Sequence, residues 1–152
     1  MIFIRMATAE DLPQLAGLFN LYRIFYGKLS DPEGAFQFLS ERINLKDSVI
    51  YVAEEEGELL GFTQLYPVYS STRMKKSWIL NDLYVEKAHR ERGISKQLIG
   101  MAKNLAVNSH AAGLLLETQK TNEIGNSLYP SVGFSPYDLT NFYWWEPEGI
   151  SL

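Results

Sequence analysis

The sequence predicts a mixed α+β domain (an α/β architecture) built on a single central sheet, and three observations carry that reading. Residues 48–53, 59–69 and 78–85 are strand-like runs joined by short polar turns, the pattern of an antiparallel meander. Residues 94–108 repeat apolar side chains at helical spacing and lead into the run Leu114-Leu115-Leu116-Glu117-Thr118, the pattern of a parallel crossover. A content of 46% hydrophobic and 13% aromatic residues in 152 positions is enough for one domain with its own core.

Taken in order, residues 1–5 alternate loosely and read as a short edge strand. Thr8 followed by Asp11 resembles a capping box with Asp in place of Glu, and Leu12, Leu15, Leu18, Phe19 and Tyr22 recur at helical spacing. A first helix is expected over residues 9–26, ended by Gly27. Asp31-Pro32 supplies an N-cap and a first-turn proline for a second helix with Phe36, Leu39 and Ile43 on one face. Glu54-Glu55-Glu56-Gly57-Glu58 is an acidic hairpin turn, read as a solvated tip. The tail Asn141-Phe142-Tyr143-Trp144-Trp145 reads as a final strand whose aromatics are either core or a subunit contact.

The organising stretch is residues 78–108. Trp78-Ile79-Leu80-Asn81-Asp82-Leu83-Tyr84-Val85 is an apolar strand interrupted by an amide and a carboxylate. It is followed by a loop with Arg90, Glu91, Arg92 and Gly93, and then by a helix opening at Ile94, Ser95 and Lys96 with Leu98, Met101, Ala102, Leu105 and Ala106 on the face of Ile94. A strand, a basic glycine loop and a helix start form an anion cradle, because first-turn N–H groups and the helix dipole favour negative charge there.

Here the chain resembles the GNAT superfamily of acyl-CoA-dependent N-acyltransferases, and is similar to its histone and polyamine acetyltransferase-like branch. The loop Arg90-Glu91-Arg92-Gly93-Ile94-Ser95 follows the Q/R-x-x-G-x-G/A signature, with Ser95 departing from the usual Gly or Ala. A second match is Asn122, Asn126, Tyr129, Gly133 and Phe134. Pro130 is foreign to that short helix and would deprive the Asn126 carbonyl of its N–H partner unless the helix is already ending.

The resemblance implies a sheet of about six to seven strands, about four helices, and a parallel strand pair splayed at the cofactor site. It implies acetyl-CoA as cosubstrate, with main-chain pairing along Leu83, Tyr84 and Val85, phosphates held by Arg90, Arg92, Gly93, Ile94, Ser95 and Lys96, and further contacts from Asn122 and Asn126. Tyr129 matches the family's usual proton donor to the thiolate. Tyr22 and Tyr26 are either core aromatics or, in the family's arrangement, the lining of the acceptor pocket.

Asp82 is the candidate base or relay, since a carboxylate in an apolar strand is desolvated and its pKa rises toward a useful range. The alternative is a structural carboxylate at a β-bulge or against a core tyrosine or arginine. Glu117 is the reserve candidate for base or cation anchor, against an ordinary strand-end carboxylate.

The absence of cysteine removes disulfides and thiol nucleophiles, and two histidines give little material for a metal site or a serine-type triad; no metal is expected. No apolar run approaches the ~18 residues of a membrane span, and no secretory leader is evident at residues 1–5. The expectation is a cytoplasmic homodimer acting on a polyamine, diamine or lysine-like amine by direct attack in a ternary complex, with no nucleic-acid or membrane partner. The net charge of −4 permits a cationic substrate. A rival reading is a non-catalytic acyl-CoA-binding sensor, and a third is a nucleic-acid module using Arg90, Arg92 and Lys96.

Overall fold

A computed structural model describes residues 1–149. The chain divides into two compact units, the first ending at Glu117 and the second beginning at Thr118. The first unit carries β1 (Phe3–Met6), α1 (Leu12–Phe25), α2 (Pro32–Leu45), β2 (Val49–Glu55), β3 (Glu58–Ser70), β4 (Lys75–Val85), α3 (Ile94–Asn108) and β5 (Leu114–Leu115). The second carries α4 (Glu123–Ser131).

The sheet is mixed, in the order β1-β2-β3-β4-β5, antiparallel throughout except for the parallel β4–β5 pair. Among the described residues it has five strands where six to seven were expected, and four α-helices as expected. Residues 141–145 are the missing strand: they have strand-forming side chains but no ladder partner, and Phe142, Tyr143, Trp144 and Trp145 are exposed. The parallel strand is also shorter than the run 114–118 suggests, pairing only Trp78 with Leu114 and Ile79 with Leu115.

The first helix starts later than residue 9 for a local reason. An α-helix from Ala9 would need an N–H at Pro13 to bond the Ala9 carbonyl, and proline has none. That carbonyl is instead taken by Leu12 in a 3-10 turn over Ala9–Asp11, and α1 follows. Asp31 caps α2 as its sequence position suggests, accepting the Gly34 N–H at 3.0 Å.

Register decides which residues meet which layer. Val52 pairs with Phe62 and Ile50 with Gln64, so these four point to one face, where Ile50, Val52 and Phe62 join Leu12, Leu15, Phe19, Ala35 and Leu39 of α1 and α2 in one core. The other face is covered by α3, which buries Ile94, Leu98, Ile99, Ala102 and Ala106; Ile99 takes a core place, while Met101 and Leu105 are only half-buried. Burying each such leucine or isoleucine is worth about 1.5–3 kcal/mol.

A β-bulge interrupts this alternation where it matters most. Leu65 pairs with Leu80 and Gln64 with Asp82, which leaves Asn81 as the extra residue of β4. Strict alternation would put Asp82 on the face of Trp78 and Leu80. The bulge turns it to the face of Gln64 and Phe62, under α1, and the kink coincides with the end of the β4–β5 pairing.

Candidate active site

Asp82 is buried, 2% exposed, and two side-chain amides donate to its carboxylate. The Gln64 amide donates to Oδ2, the Asn81 amide donates to Oδ1 at 2.8 Å, and the Tyr22 hydroxyl also bonds the carboxyl. Burial pushes the Asp82 pKa up from the usual carboxylate range, and the three hydrogen bonds pull against that rise. Tyr66, half-buried, is pushed well above an ordinary phenol, first by desolvation and then by the Asp82 charge.

Tyr22 is half-buried, and its single hydroxyl proton is shared between the Asp82 carboxyl and the Asn81 carbonyl, the latter at 3.1 Å. Its ring meets Phe62, Tyr84, Phe19 and Tyr26 at centroid separations of 6.0, 6.4, 6.1 and 5.1 Å. Of the aromatic side chains anticipated either as core or as an acceptor pocket, Tyr22 packs against the core and lays a hydroxyl on the bulge that holds Asp82. Tyr26 extends the cluster to Phe25.

Along the opposite edge of β4, residues 80–85 continue past the last pair with β5. Glu86 donates its N–H to Leu60 on β3 at 2.9 Å, so main-chain alternation turns the N–H and C=O groups of Leu83 and Val85 away from β3 toward this open edge. Tyr84 alternates the other way, its main-chain groups turned to Phe62 of β3, so the pairing expected of it at this edge is left to its two neighbours. Arg90 reaches back to this edge, its Nε donating to the Val85 carbonyl at 2.9 Å with its guanidinium over the Tyr84 ring.

The loop ahead of α3 has two left-handed residues, Glu91 at φ 64° and Gly93 at φ 77°. Gly93 is the N-cap and has no side chain to occupy the first-turn donors. Gln97 bonds the Gly93 carbonyl at 3.2 Å, leaving the N–H groups of Ile94, Ser95 and Lys96 without a partner within the helix ladder. A Cβ built on Gly93 would meet nothing within 4 Å, so the space over this turn is open. That combination fits a phosphate group. Arg92, expected to share in phosphate binding, gives one nitrogen to both oxygens of Glu55 at 2.9 Å each, so its charge is already partnered from the β2–β3 turn. Lys96 is exposed, Ser95 half-buried, and Ile94 packs into the core.

Glu117 is exposed and lies beyond the last residue of β5, at the end of the first unit.

In the second unit, Asn122 caps α4: its side-chain oxygen accepts the Gly125 N–H at 3.1 Å and its amide donates to Thr118 Oγ1 at 2.9 Å. The Asn126 amide donates to the carbonyls of Gln119, Lys120 and Asn122, closing the turn before the helix. Both amides are thus used in building the turn. Pro130 lies inside α4, one residue before its end, so the hydrogen bond it withholds falls in the last turn. Gly133 at φ 98° completes a Schellman stop: Phe134 N–H bonds the Tyr129 carbonyl, Gly133 N–H bonds the Pro130 carbonyl, and the Tyr129 and Phe134 rings meet at 6.0 Å.

Sequence reasoning passed over two residues of this site, Gln64 and Ser48. The available signal was a glutamine inside the apolar run Leu59-Leu60-Gly61-Phe62-Thr63-Gln64-Leu65, as conspicuous as Asp82 in its own strand.

Residues 15–134 match the family model of the acetyltransferase (GNAT) family. The chain belongs to that family. A GNAT relative, the uncharacterized N-acetyltransferase YhfO of Bacillus subtilis (strain 168), is 45% identical over 131 residues, covering 86% of this chain and 88% of its own. A crystal structure of a probable acetyltransferase superposes with a TM-score of 0.90 at 42% identity, covering 95% of this chain and 97% of that one. A predicted acetyltransferase from Clostridium acetobutylicum, solved with acetyl-CoA, shares the fold at a TM-score of 0.77 and 17% identity, covering 94% of this chain and 96% of that one. This GNAT protein is therefore an acyltransferase of mixed α/β fold, in a family that uses acetyl-CoA. Among the described residues no helix is long and apolar enough to cross a membrane.

Proposed function

We propose that this GNAT protein acetylates a primary amine (a polyamine, diamine or lysine-like acceptor, as in the histone and polyamine branch) by direct attack in a ternary complex. The observation that carries the proposal is the desolvated carboxylate of Asp82, turned under the α1 aromatics by the bulge and held one strand position from the open β4 edge.

Acetyl-CoA supplies the activated thioester. The N–H groups of Ile94, Ser95 and Lys96, with Gly93 giving close access and Arg90 adding charge, hold its phosphates, while Arg92 stays paired with Glu55; the main chain of Leu83 and Val85 holds its amide-bearing arm, and Asn122 and Asn126 shape the turn beside Tyr129's helix. A lysine-like amine has a pKa near 10.4, so reaching the neutral nucleophile at pH 7 costs about 4–5 kcal/mol. Asp82 takes that proton, through the half-exposed Tyr22 hydroxyl or a bridging water, because the carboxylate itself is sealed. Tyr129 returns a proton to the departing thiolate. Tyr26 lines the acceptor side with Tyr22, and Glu117 anchors the cation's far end. The exposed Phe142, Tyr143, Trp144 and Trp145 support a homodimer, and the cysteine-free sequence suits the cytoplasm.

The test is thiol release from acetyl-CoA across polyamines, diamines, amino acids and basic peptides. Tyr129→Phe lowers turnover with coenzyme A affinity little altered, and Asp82→Asn removes the acidic limb of the pH–rate profile. An unaltered profile eliminates Asp82 as the base; coenzyme A binding with no turnover on any amine assigns the non-catalytic reading instead.

A further inference from the structure

Gln64 is fully buried in the middle of β3, and both ends of its amide are engaged. Its oxygen accepts the Ser48 hydroxyl at 2.8 Å, and its nitrogen donates to Asp82 Oδ2. The direction of the amide follows from its neighbours. A carboxylate only accepts, so the NH2 end must face Asp82, and the remaining oxygen needs a donor, which Ser48 provides from the turn before β2. Two adjacent strands and the turn leading into a third thus contribute one residue each to a single line: Ser48 just before β2, Gln64 in β3, Asp82 in β4. On the other oxygen, Asn81 adds its amide from the bulge.

We propose that Gln64, locked by Ser48, is a positioning residue for Asp82: it holds the carboxylate in its acceptor state and aims it, as the third member of a triad orients its base. The proposal rests on the reading of Asp82 as the proton acceptor. An amide free to swing would let the carboxyl rotate, and without the amide a sealed carboxylate would lose a donor that favours its ionised form. The device gains its meaning from burial, since a solvent-exposed base would be oriented and solvated by water instead. The titratable groups facing Asp82 are Tyr22 from α1 and Tyr66 from β3, with Arg42 and Asp47 acting on Tyr66 from the α2 side.

The experiment is the pH dependence of kcat/KM for the wild type, Asp82→Asn, Gln64→Leu, Ser48→Ala and Ser48→Thr, with a thermal melt of each. The active form of Asp82 is ionised, so losing a donor raises its pKa and moves the acidic limb to higher pH. Gln64→Leu should move it by about one to two pH units, the worth of one hydrogen bond to a charged group. Ser48→Ala, milder and nearer the surface, should move it by about half a unit, and Ser48→Thr, which keeps the hydroxyl, should restore the wild-type limb. Lowered melting temperatures with the limb unmoved in both Gln64→Leu and Ser48→Ala, while Asp82→Asn abolishes it, would overturn the positioning role and leave the base assignment standing. If Asp82→Asn leaves the limb in place, the base assignment fails, and the positioning role with it.

Discussion

Replacing Gly93 by alanine separates the conformational strain of the cradle from its ligand contact. Gly93 sits at φ 77°, where an L-residue is disfavoured by about 1–2 kcal/mol, and its built Cβ has nothing within 4 Å. Strain is therefore the whole expected stability penalty. For a domain of this size about 1 kcal/mol corresponds to 2–4 °C, so the melting temperature should fall by about 2–8 °C with the fold intact. The new methyl would, however, stand in the open space over the first turn of α3, where the proposed phosphates approach the N–H groups. Coenzyme A affinity by calorimetric titration should fall about tenfold, equivalent to about 1.4 kcal/mol. Gly27 provides the control: it has φ 83° and equally empty surroundings, but lies past the end of α1. Gly27→Ala should show the same thermal shift and unchanged coenzyme A affinity. Equal affinities for the two variants would refute the cradle, and a far larger loss of stability in Gly93→Ala would refute the argument from open space.

Two further substitutions test the frame around the site. Asp11 is nearly buried and accepts two 2.8 Å bonds from Arg5 and one from the Thr8 N–H, and the Arg5 guanidinium holds its carboxyl below the usual range. A depressed native pKa stabilises the fold above the ordinary carboxylate pKa, and this is lost as pH falls through the native value. Asp11→Asn should cost about 1–2 kcal/mol at pH 7 in urea unfolding, with the gap to wild type closing in strong acid; a pH-independent gap would sink the ionic explanation. At Gly61, a built Cβ would lie 2.7 Å from the Tyr84 carbonyl and 3.2 Å from Val85 Cα, so β3 and β4 must part beside the open edge. Gly61→Ala should cost about 1–3 kcal/mol and weaken coenzyme A binding as well; a variant as stable as wild type would show that the strands yield freely there.

What could be read along the chain were features set by a few adjacent residues. The Asp31-Pro32 cap, the stop after α1 at Gly27, the Gly93 loop opening α3 and the meander through β2, β3 and β4 all follow from dihedral limits, capping and alternation, which act within one or two turns. Asp82 stood out for the same reason, as a charge in an apolar run. Which way it points did not. Alternation within β4 alone groups it with Trp78 and Leu80; only the pairing with β3, which counts Asn81 as surplus, sends it to the α1 face. Its partners Gln64 and Tyr22 are 18 and 60 residues away, and Arg92 finds Glu55 at a separation of 37. The aromatic run at 141–145 shows the converse, since strong strand propensity yields no strand without a neighbouring edge to complete its hydrogen bonds. Local chemistry thus determined which residues were unusual, and the register between strands decided what each of them faces.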